Sequence, residues 1–209
     1  MKIYDKLISK DEKLAVVGLG YVGLPIALEF AKKLDVIGFD INVERVNLMK
    51  QNIDPSNELI ASDFENCSIT FTSNLKDLQD VKFFIIAVPT PIDKNKKPDI
   101  NPLLSASKTV GKVLKKGDYV VYESTVYPGC TEEDCIPVLE ELSGLTFKKD
   151  FKVGYSPERI NPGDKVHTLS SIIKVSAGCD KESAEEIAKT YQLVVTAGVH
   201  RASSIKVAE

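Results

Sequence analysis

The sequence of 209 residues has few of the side chains that bind metal ions. It contains two histidines, His167 and His200, and four cysteines, Cys67, Cys130, Cys135 and Cys179. No two cysteines stand in a C-x-x-C pair, and the histidines do not cluster with them. Because structural zinc sites need closely spaced pairs of ligands, this spacing gives no support for a metal site. We expect reduced, partly buried thiols without a nucleophilic role.

Long apolar runs and an excess of positive charge are also missing. No stretch approaches the ~20 apolar residues of a transmembrane helix, and the N-terminal segment MKIYDKLISKDEK lacks the apolar core of a signal peptide. The formal net charge of −3 and the isoelectric point of about 5.6 give no electrostatic basis for binding nucleic acid or an anionic membrane. We therefore expect a cytoplasmic protein that binds neither.

What the chain does contain is a strand, a glycine turn, a helix and a second strand near its N terminus. Residues 14–17 form a short apolar run, and the sequence GLGYVG at 18–23 comes directly after it. Apolar residues then recur at helical spacing, at Leu24, Ala27, Leu28 and Ala31. A second apolar run at 36–39 ends in Asp40. This order is typical of a dinucleotide-binding unit, whereas the glycine motif alone would indicate only an ordinary turn.

The three glycines of the motif have separate expected roles. Gly18 allows a tight turn out of the strand, and Gly20 lets the backbone approach a pyrophosphate without a Cβ in the way. Gly23 permits close packing of the helix on the strand. The N–H groups of the first helical turn then face the phosphates, because the positive end of the helix dipole lies there.

Asp40 lies 22 positions after Gly18, where a dinucleotide fold has the acid that accepts hydrogen bonds from the adenosine ribose. A carboxylate there repels a 2′-phosphate, so we expect NAD rather than NADP. Arg45 lies five residues further along and reaches the adenosine edge of the cofactor in this interpretation. The alternative for Arg45 is a solvated arginine on a helix face.

Strands and helices alternate over the whole length, which predicts an α/β fold with a parallel, doubly wound sheet of the Rossmann type. With 43% hydrophobic residues, the chain can bury one substantial core. The expected strands cover residues 14–17, 36–39, 69–72, 83–88, 119–122, 150–155, 172–176 and 194–197. The expected helices comprise the one with the apolar stripe that starts at Leu24 and those over residues 42–52, 74–80, 101–115, 131–142 and 180–191.

Three loops come after expected strands at the carboxyl edge of the sheet, where ligands bind in open α/β folds. The first holds Thr90 between two prolines and is placed to bond the cofactor, although a loop threonine without a role is the alternative. The second is ESTVYPG at 123–129. The third, SPERINPGD at 156–164, presents Glu158 and Arg159 from a stiff loop, and the alternative for Glu158 is a surface carboxylate.

These motifs, in this order and spacing, resemble the nucleotide-sugar 6-dehydrogenases, the group that contains UDP-glucose dehydrogenase and GDP-mannose dehydrogenase. The segments that carry the resemblance are GLGYVGLP, the FD at the end of the second strand, AVPTP, ESTVYPG and YSPERINPGD. The longer form PERINPGDKVHTL is most similar to the branch that oxidises UDP-N-acetylhexosamines to their uronic acids. The match covers nearly all of the chain.

The resemblance implies an NAD-dependent, four-electron oxidation of a sugar C6 alcohol to a carboxylate by two hydride transfers, in polysaccharide precursor synthesis. The implied NAD contacts are the Tyr21 and Val22 backbone, Asp40, Arg45, Thr90 and Thr125. Thr125 and Glu158 are implied to lie beside C6, where they position water and handle protons. Arg159 and Ile160 are implied to contact the UDP-N-acetylhexosamine. Some relatives carry a second acid four residues after Glu158, and this chain has Pro162 there, so another group takes that role or the role is dispensable.

The end of the chain departs from the family pattern. Family members complete the active site with a lysine and an asparagine on a long central helix and with a later nucleophilic cysteine. This chain ends at Glu209, where that helix is expected to begin. We therefore expect an NAD-binding domain over 1–200, with a core at 12–128 and additional strands and helices at 129–200. Residues 201–209 would start an interdomain helix, and the chain alone would lack turnover.

Other interpretations remain open from the sequence. One is a stand-alone NAD-binding module without a catalytic partner. A second is another β-hydroxyacid-type dehydrogenase that shares only the Rossmann half, and a third is a 6-dehydrogenase that acts on UDP-glucose or UDP-ManNAc. The resemblance also implies a homodimer for the full-length enzyme. We expect this chain to be a monomer or a non-native oligomer, because the family dimerises largely through the central helix and the elements on its C-terminal side.

Overall fold

The computed structural model describes residues 2–92, 98–158 and 172–209. Within these ranges all strands belong to one sheet: β1 (Lys13–Val17), β2 (Val36–Phe39), β3 (Ile69–Thr72), β4 (Val81–Ile86), β5 (Tyr119–Tyr122), β6 (Lys152–Tyr155), β7 (Lys174–Gly178) and β8 (Val199–Arg201). The α-helices are α1 (Ile3–Ile8), α2 (Gly23–Ala31), α3 (Val43–Met49), α4 (Asn101–Gly111), α5 (Ile136–Ser143), α6 (Lys181–Gln192) and α7 (Ile205–Ala208). Short 3-10 helices cover Ala61–Phe64 and Leu75–Leu78.

The sheet has the strand order β3-β2-β1-β4-β5-β6-β7-β8. Alternate residues of the central strands enter separate cores, as in β1, where Leu14 and Val16 pack on one face and Ala15 and Val17 on the other. Helices α1, α2, α3 and α6 contribute to the first core, and α4, α5 and α7 contribute to the second. The doubly wound α/β fold predicted from the sequence is therefore confirmed.

The prediction of a wholly parallel sheet is wrong for its last two strands. The first six strands in the sheet order, from β3 through β1 to β6, are mutually parallel. Strand β7 runs antiparallel to β6, with Gly154 opposite Gly178 and Tyr155 opposite Ala177. Strand β8 is parallel to β7 and is therefore also reversed. A parallel pair needs a crossover connection, usually a helix. The sequence predicts a loop and no helix between β6 and β7, and this already indicates that β7 is not parallel to β6.

The strand predicted at 194–197 is also wrong, because the last strand is β8 at Val199–Arg201. Val194 and Val195 are buried, and their N–H groups both donate to the Tyr191 carbonyl at 3.0 Å. They therefore close the end of α6 inside the core. Gly198, with φ of +102°, then turns the chain into β8. The apolar, β-branched run is thus buried as a helix terminus and not as a strand.

Other elements differ from the prediction in their bounds, as β7 does by two residues, and two differences concern the helices. The helix predicted at 131–142 begins as a π-helix over Thr131–Cys135 and becomes α-helical at Ile136. Pro137 lies in the first turn of α5 and has no N–H for the regular i to i−4 pattern. The sequence did not predict α1, which buries Ile3 and Leu7. Among the described residues, no helix is long and apolar enough to cross a membrane.

Candidate functional site

A cavity of about 830 Å³ lies at the carboxyl edge of the sheet. Residues at the carboxyl ends of β1, β2, β4, β5 and β6 all line it. It spans the boundary between β1 and β4, where helix α2 packs in one core and α4 in the other. Such a change in the direction of strand order is where doubly wound folds bind nucleotides. The cavity is therefore in the position predicted from the loop sequences.

The glycine motif forms one wall of the cavity. Gly18 has φ of +92°, and a Cβ there would lie 2.7 Å from Val88 Cγ1. A Cβ on Gly23 would lie 1.8 Å from the Gly18 carbonyl oxygen. Gly20 differs, since a Cβ there would meet no atom within 4 Å, although Gly20 lines the cavity. The fold itself requires Gly18 and Gly23, whereas Gly20 leaves room for something that enters the cavity.

Asp40 and Arg45 hold this glycine loop from the neighbouring strand and helix. The Asp40 carboxylate accepts hydrogen bonds from the Leu19 N–H at 2.9 Å and the Asn42 N–H at 2.8 Å. Arg45 Nη2 donates to the Leu19 carbonyl at 2.9 Å and to Ser56 Oγ at 3.1 Å. Both side chains line the cavity. Arg45 is thus bound to the loop and is not a freely solvated arginine.

Two further features of this wall fit a bound dinucleotide. Thr90 lines the cavity, and its Oγ1 is buried without a hydrogen-bond partner. Burying a hydroxyl without a partner is costly, so this atom fits a site that a ligand completes. No side chain caps the N terminus of α2, where Tyr21 and Val22 line the cavity. The residues present at this wall therefore fit a bound NAD.

The other end of the cavity is built from the loops after β5 and β6. Ser124 Oγ donates to the Val88 carbonyl at 2.5 Å, and Tyr155 OH donates to the Ser124 carbonyl at 3.0 Å. These bonds hold the loop so that Thr125 lies at the cavity. Glu158 lines the same cavity. Thr125 and Glu158, which the sequence predicted as neighbours, thus line one cavity, while Arg159 and Ile160 lie outside the described residues.

A buried ionic cluster joins Glu158 to Glu123, which also lines the cavity, and sequence reasoning missed it. Lys174 Nζ donates to Glu123 Oε2 at 3.0 Å, to Glu158 Oε2 at 3.2 Å and to the Pro157 carbonyl at 3.2 Å. The Tyr191 hydroxyl donates to Glu123 Oε1. The side chains of Lys174, Glu123 and Glu158 are 4%, 0% and 8% exposed, so the ion pairs are shielded from water.

Burial is the largest cause of the pKa shifts of Glu123 and Tyr191. Burial raises the pKa of Glu123, and the nearby Glu158 carboxylate adds to the rise, while Lys174 and the Tyr191 hydroxyl oppose it. Burial and the Glu123 charge raise the pKa of Tyr191 well above its ordinary value. Tyr191 therefore remains a hydrogen-bond donor to Glu123 at neutral pH.

Two signals in the sequence pointed toward this cluster. Lys174 is a single charge in an otherwise apolar strand segment, IIKVSA, and Glu123 comes directly after the apolar strand YVVY. A charged residue inside such a strand requires a partner when it is buried. The four cysteines are free thiols, as expected, with Cys130 and Cys135 buried and the other two partly buried.

Comparison with known proteins identifies the relatives of this chain. The NAD-binding-domain model of the UDP-glucose/GDP-mannose dehydrogenase family matches residues 12–195. The chain is 60% identical over 201 residues to UDP-N-acetyl-D-glucosamine 6-dehydrogenase of Pseudomonas aeruginosa, covering 96% of this chain and 48% of the relative. It is 52% identical over 200 residues to the protein of the same name in Salmonella typhi, covering 95% and 47%.

Solved structures agree with the sequence relatives. NDP-N-acetyl-D-galactosaminuronic acid dehydrogenase from Methanosarcina mazei superposes with a TM-score of 0.86 at 28% identity, covering 100% of this chain and 48% of that one. UDP-D-ManNAc dehydrogenase from Pyrococcus horikoshii gives 0.83 at 32% identity, covering 94% and 48%. The chain spans about half the length of the relatives it matches. It belongs to the UDP-glucose/GDP-mannose dehydrogenase family, in which it corresponds to the NAD-binding domain.

Proposed function

We propose that this chain is the cofactor-binding part of an NAD-dependent 6-dehydrogenase that oxidises the C6 alcohol of a UDP-N-acetylhexosamine to a carboxylate. The observation that carries the proposal is one cavity that joins Gly20 and Asp40 at one end to Thr125 and Glu158 at the other. UDP-GlcNAc is the favoured substrate, because the relatives at 60% and 52% identity are named for it. A UDP-ManNAc dehydrogenase of Campylobacter jejuni is 35% identical.

The proposed cofactor contacts correspond to the geometry of the cavity. The glycine motif and the backbone of Tyr21 and Val22 bind the pyrophosphate, and Asp40 binds the adenosine ribose. Arg45 keeps the glycine loop in place and borders the adenosine. Thr90 uses its unpartnered Oγ1 to bond the cofactor, and Thr125 meets the cofactor where the loop after β5 reaches the cavity.

The proposed chemistry lies at the Thr125 and Glu158 end. Bound NAD supplies the hydride acceptor for the two oxidation steps. The Glu158 carboxylate lies at the cavity edge and is proposed to take the proton that leaves the substrate oxygen, directly or through a water molecule that Thr125 orients. Ion pairing with Lys174 keeps Glu158 in reach of the cavity. Arg159 and Ile160 are proposed to contact the sugar nucleotide.

We propose residues 1–200 as the NAD-binding domain, with its core at 12–128 and additional strands and helices at 129–200. Residues 201–209 would lead into an interdomain helix, since Arg201 ends β8 and α7 begins at Ile205. Among the described residues, no cysteine lines the cavity, so a thiol needed for the second oxidation would come from elsewhere. We therefore expect the 209 residues to bind NAD as a monomer without turning over a UDP-sugar, and the complete enzyme to be a homodimer.

A chimaera tests this proposal. Residues 1–209 replace the matching half of the Pseudomonas aeruginosa UDP-N-acetyl-D-glucosamine 6-dehydrogenase, and NADH formation is measured with UDP-GlcNAc, UDP-ManNAc and UDP-glucose. We expect two NADH for each uronic acid formed, fastest with UDP-GlcNAc. The unmodified Pseudomonas enzyme is the positive control, and the Glu158→Gln chimaera is the matched negative control. A folded chimaera that binds NAD but oxidises none of the three substrates would refute the proposal.

Calorimetric titration of the 209-residue chain tests the cofactor assignment separately. We expect binding of NAD and at least about tenfold weaker binding of NADP, a difference of about 1.4 kcal/mol, because the Asp40 carboxylate repels a 2′-phosphate. Asp40→Asn removes the charge and keeps the shape, so it should reduce this preference. Equal affinity for NAD and NADP in the unmodified chain would contradict the assigned role of Asp40.

A further inference from the structure

We propose that Lys174 is a positioning residue that fixes the Glu158 carboxylate at the cavity, with Glu123 and Tyr191 as its buried support. This role rests on the proposed function, in which Glu158 handles the proton. Lys174 does not line the cavity in the described residues, so it would act through Glu158. Its effect depends on the contacts of its ammonium group and on the direction of β7.

The ammonium group of Lys174 uses its hydrogen-bonding capacity completely. A lysine ammonium has three donors, and Lys174 Nζ has three acceptors within 3.2 Å. Two of them, the Glu158 carboxylate and the Pro157 carbonyl, belong to the segment that carries the proposed base. The third is the Glu123 carboxylate. Lys174 therefore holds both the backbone and the side chain of this segment, which fixes the direction in which Glu158 points.

The reversed direction of β7 makes this contact possible. Gly154 faces Gly178 and Tyr155 faces Ala177, so the same antiparallel register continued past the end of β6 brings Glu158 to Lys174. Ser156 Oγ donates to the Val175 carbonyl at 2.7 Å, which continues the association beyond the strand. In a parallel strand, the first residue would lie at the opposite edge of the sheet. Because β7 is antiparallel to β6, its first residue, Lys174, lies at the carboxyl edge of the sheet as a buried cation.

The support behind Lys174 runs into the core. Tyr191 donates to Glu123, and its ring lies 5.6 Å from Lys174 Nζ. Glu123 is thus held between a phenol and an ammonium, and Lys174 is held between two carboxylates. A buried ion pair needs further hydrogen bonds to satisfy its remaining donors and acceptors. Here one of these further acceptors is the Glu158 carboxylate, so the contacts of Lys174 link Glu158 to Glu123 and, through it, to Tyr191 in the core.

Other lysine pairs of the same sheet region lack this arrangement. Lys152 on β6 pairs with Asp180 at 2.6 Å, and the two side chains are 22% and 35% exposed. Neither lines the cavity, and Asp180 caps helix α6 through the Ser183 N–H. This pair is tied to a helix terminus, whereas the Lys174 pair is tied to a proposed reacting group. Lys152 is therefore a suitable internal reference.

The contact is tested on the full 209-residue chain with ¹⁵N-labelled lysine. The Lys174 ammonium signal is assigned by its loss in Lys174→Arg, and its chemical shift is then measured in Glu158→Gln. We expect a clear shift of the Lys174 signal and no shift of the Lys152 signal. Glu29→Gln, which removes a surface partner of Lys32, is the matched control and should leave Lys174 unchanged. An unchanged Lys174 signal in folded Glu158→Gln would overturn the proposal.

The positioning role is tested by kinetics in the chimaera. The double variant Lys174→Met/Glu123→Gln removes the ammonium without leaving Glu123 charged and unpaired. We expect its kcat to fall by roughly tenfold to hundredfold relative to Glu123→Gln alone, because a misplaced catalytic group loses its orientation. The KM for NAD should change little, and Lys174→Arg should retain most of the kcat. A purely structural role predicts no such separation of kcat from KM.

The outcomes separate this inference from the proposed function. An equal kcat for the double variant and for Glu123→Gln alone would overturn the positioning role. An unmodified chimaera without activity would instead overturn the proposed function, and the Lys174 ammonium shift would still decide whether Lys174 holds Glu158. If the double variant does not fold, the same ammonium shift decides the inference, since Glu158→Gln removes the Glu158 carboxylate and leaves Lys174 and Glu123 in place.

Discussion

The two ends of the cavity are built in different ways. At the Asp40 end, the polar contacts join the glycine loop to the next strand and helix, and they end largely on backbone atoms. At the Glu158 end, the contacts join charged side chains that are far apart in sequence, such as Lys174 and Glu123, which are 51 residues apart. One end is local and partly exposed, and the other is buried and assembled from β5, β6, β7 and α6.

This difference predicts a division of labour between binding and stability. Buried ions are costly to leave unpaired, since water no longer solvates them. When a partly exposed polar group loses its hydrogen-bond partner, water takes the place of that partner at little cost. Substitutions at the Glu158 end should therefore affect folding strongly, whereas substitutions at the Asp40 end should affect mainly the cofactor. Paired substitutions at the two ends test this contrast.

Removal of one buried charge should have the largest effect. Lys174→Met leaves Glu123 and Glu158 without their shared cation, and we expect the free energy of unfolding to fall by about 3–5 kcal/mol. Arg45→Met, at the other end, removes hydrogen bonds to Leu19 and Ser56 and should cost only about 1–2 kcal/mol. Urea denaturation of both variants measures the two changes. Similar losses in Lys174→Met and Arg45→Met would remove the contrast between the ends.

The glycine motif offers a comparison within the Asp40 end. Gly20→Ala should leave the stability unchanged, because a Cβ there meets no atom within 4 Å. The same methyl group would project into the cavity, so we expect NAD affinity to fall by about tenfold, or about 1.4 kcal/mol. Gly18→Ala should instead destabilise the fold, because its φ is +92° and a Cβ would meet Val88. Calorimetry and thermal denaturation measure both quantities.

Two outcomes for Gly20→Ala would contradict this prediction. An NAD affinity in Gly20→Ala equal to that of the unmodified chain would mean that the cofactor does not approach the backbone there. A loss of stability equal to that of Gly18→Ala would mean that Gly20 serves the fold. Either result would remove the distinction between a glycine kept for the ligand and a glycine kept for the turn.

The contrast between the ends also explains what the sequence could predict. Asp40 and the glycines are predictable because their roles depend on neighbours within one strand–helix–strand unit. Lys174 is predictable only in part: a single charge in an apolar strand indicates a buried partner, but which residues pair with it depends on an antiparallel register that strand periodicity does not encode. The misplaced last strand has a similar cause, since Val194 and Val195 are equally compatible with a strand and with a buried helix end. Contacts within one strand–helix–strand unit can be predicted from the spacing of residues. Contacts between buried residues far apart in sequence depend on the direction and register of each strand in the sheet.

The smallest expected effect is a dependence of stability on pH at the Glu158 end. Burial raises the pKa of Glu123 above its unfolded value of 4.5, so the folded protein binds the proton more tightly than the unfolded chain. This contribution is complete below pH 4.5 and is lost as the pH rises through the folded pKa. The free energy of unfolding of the unmodified protein, relative to Glu123→Gln, should therefore fall as the pH is raised.

Urea denaturation of both proteins at a series of pH values measures this difference. Other buried carboxyl groups, such as Asp118, do not affect it. Burial also raises the pKa of Asp118, which pairs with Lys82 away from the cavity, so its contribution is common to both proteins and cancels. A difference that rises with pH would mean that Lys174 and Tyr191 outweigh burial at Glu123. The cluster would then hold two ionised carboxylates in the folded state throughout, and the support behind Glu158 would be purely ionic.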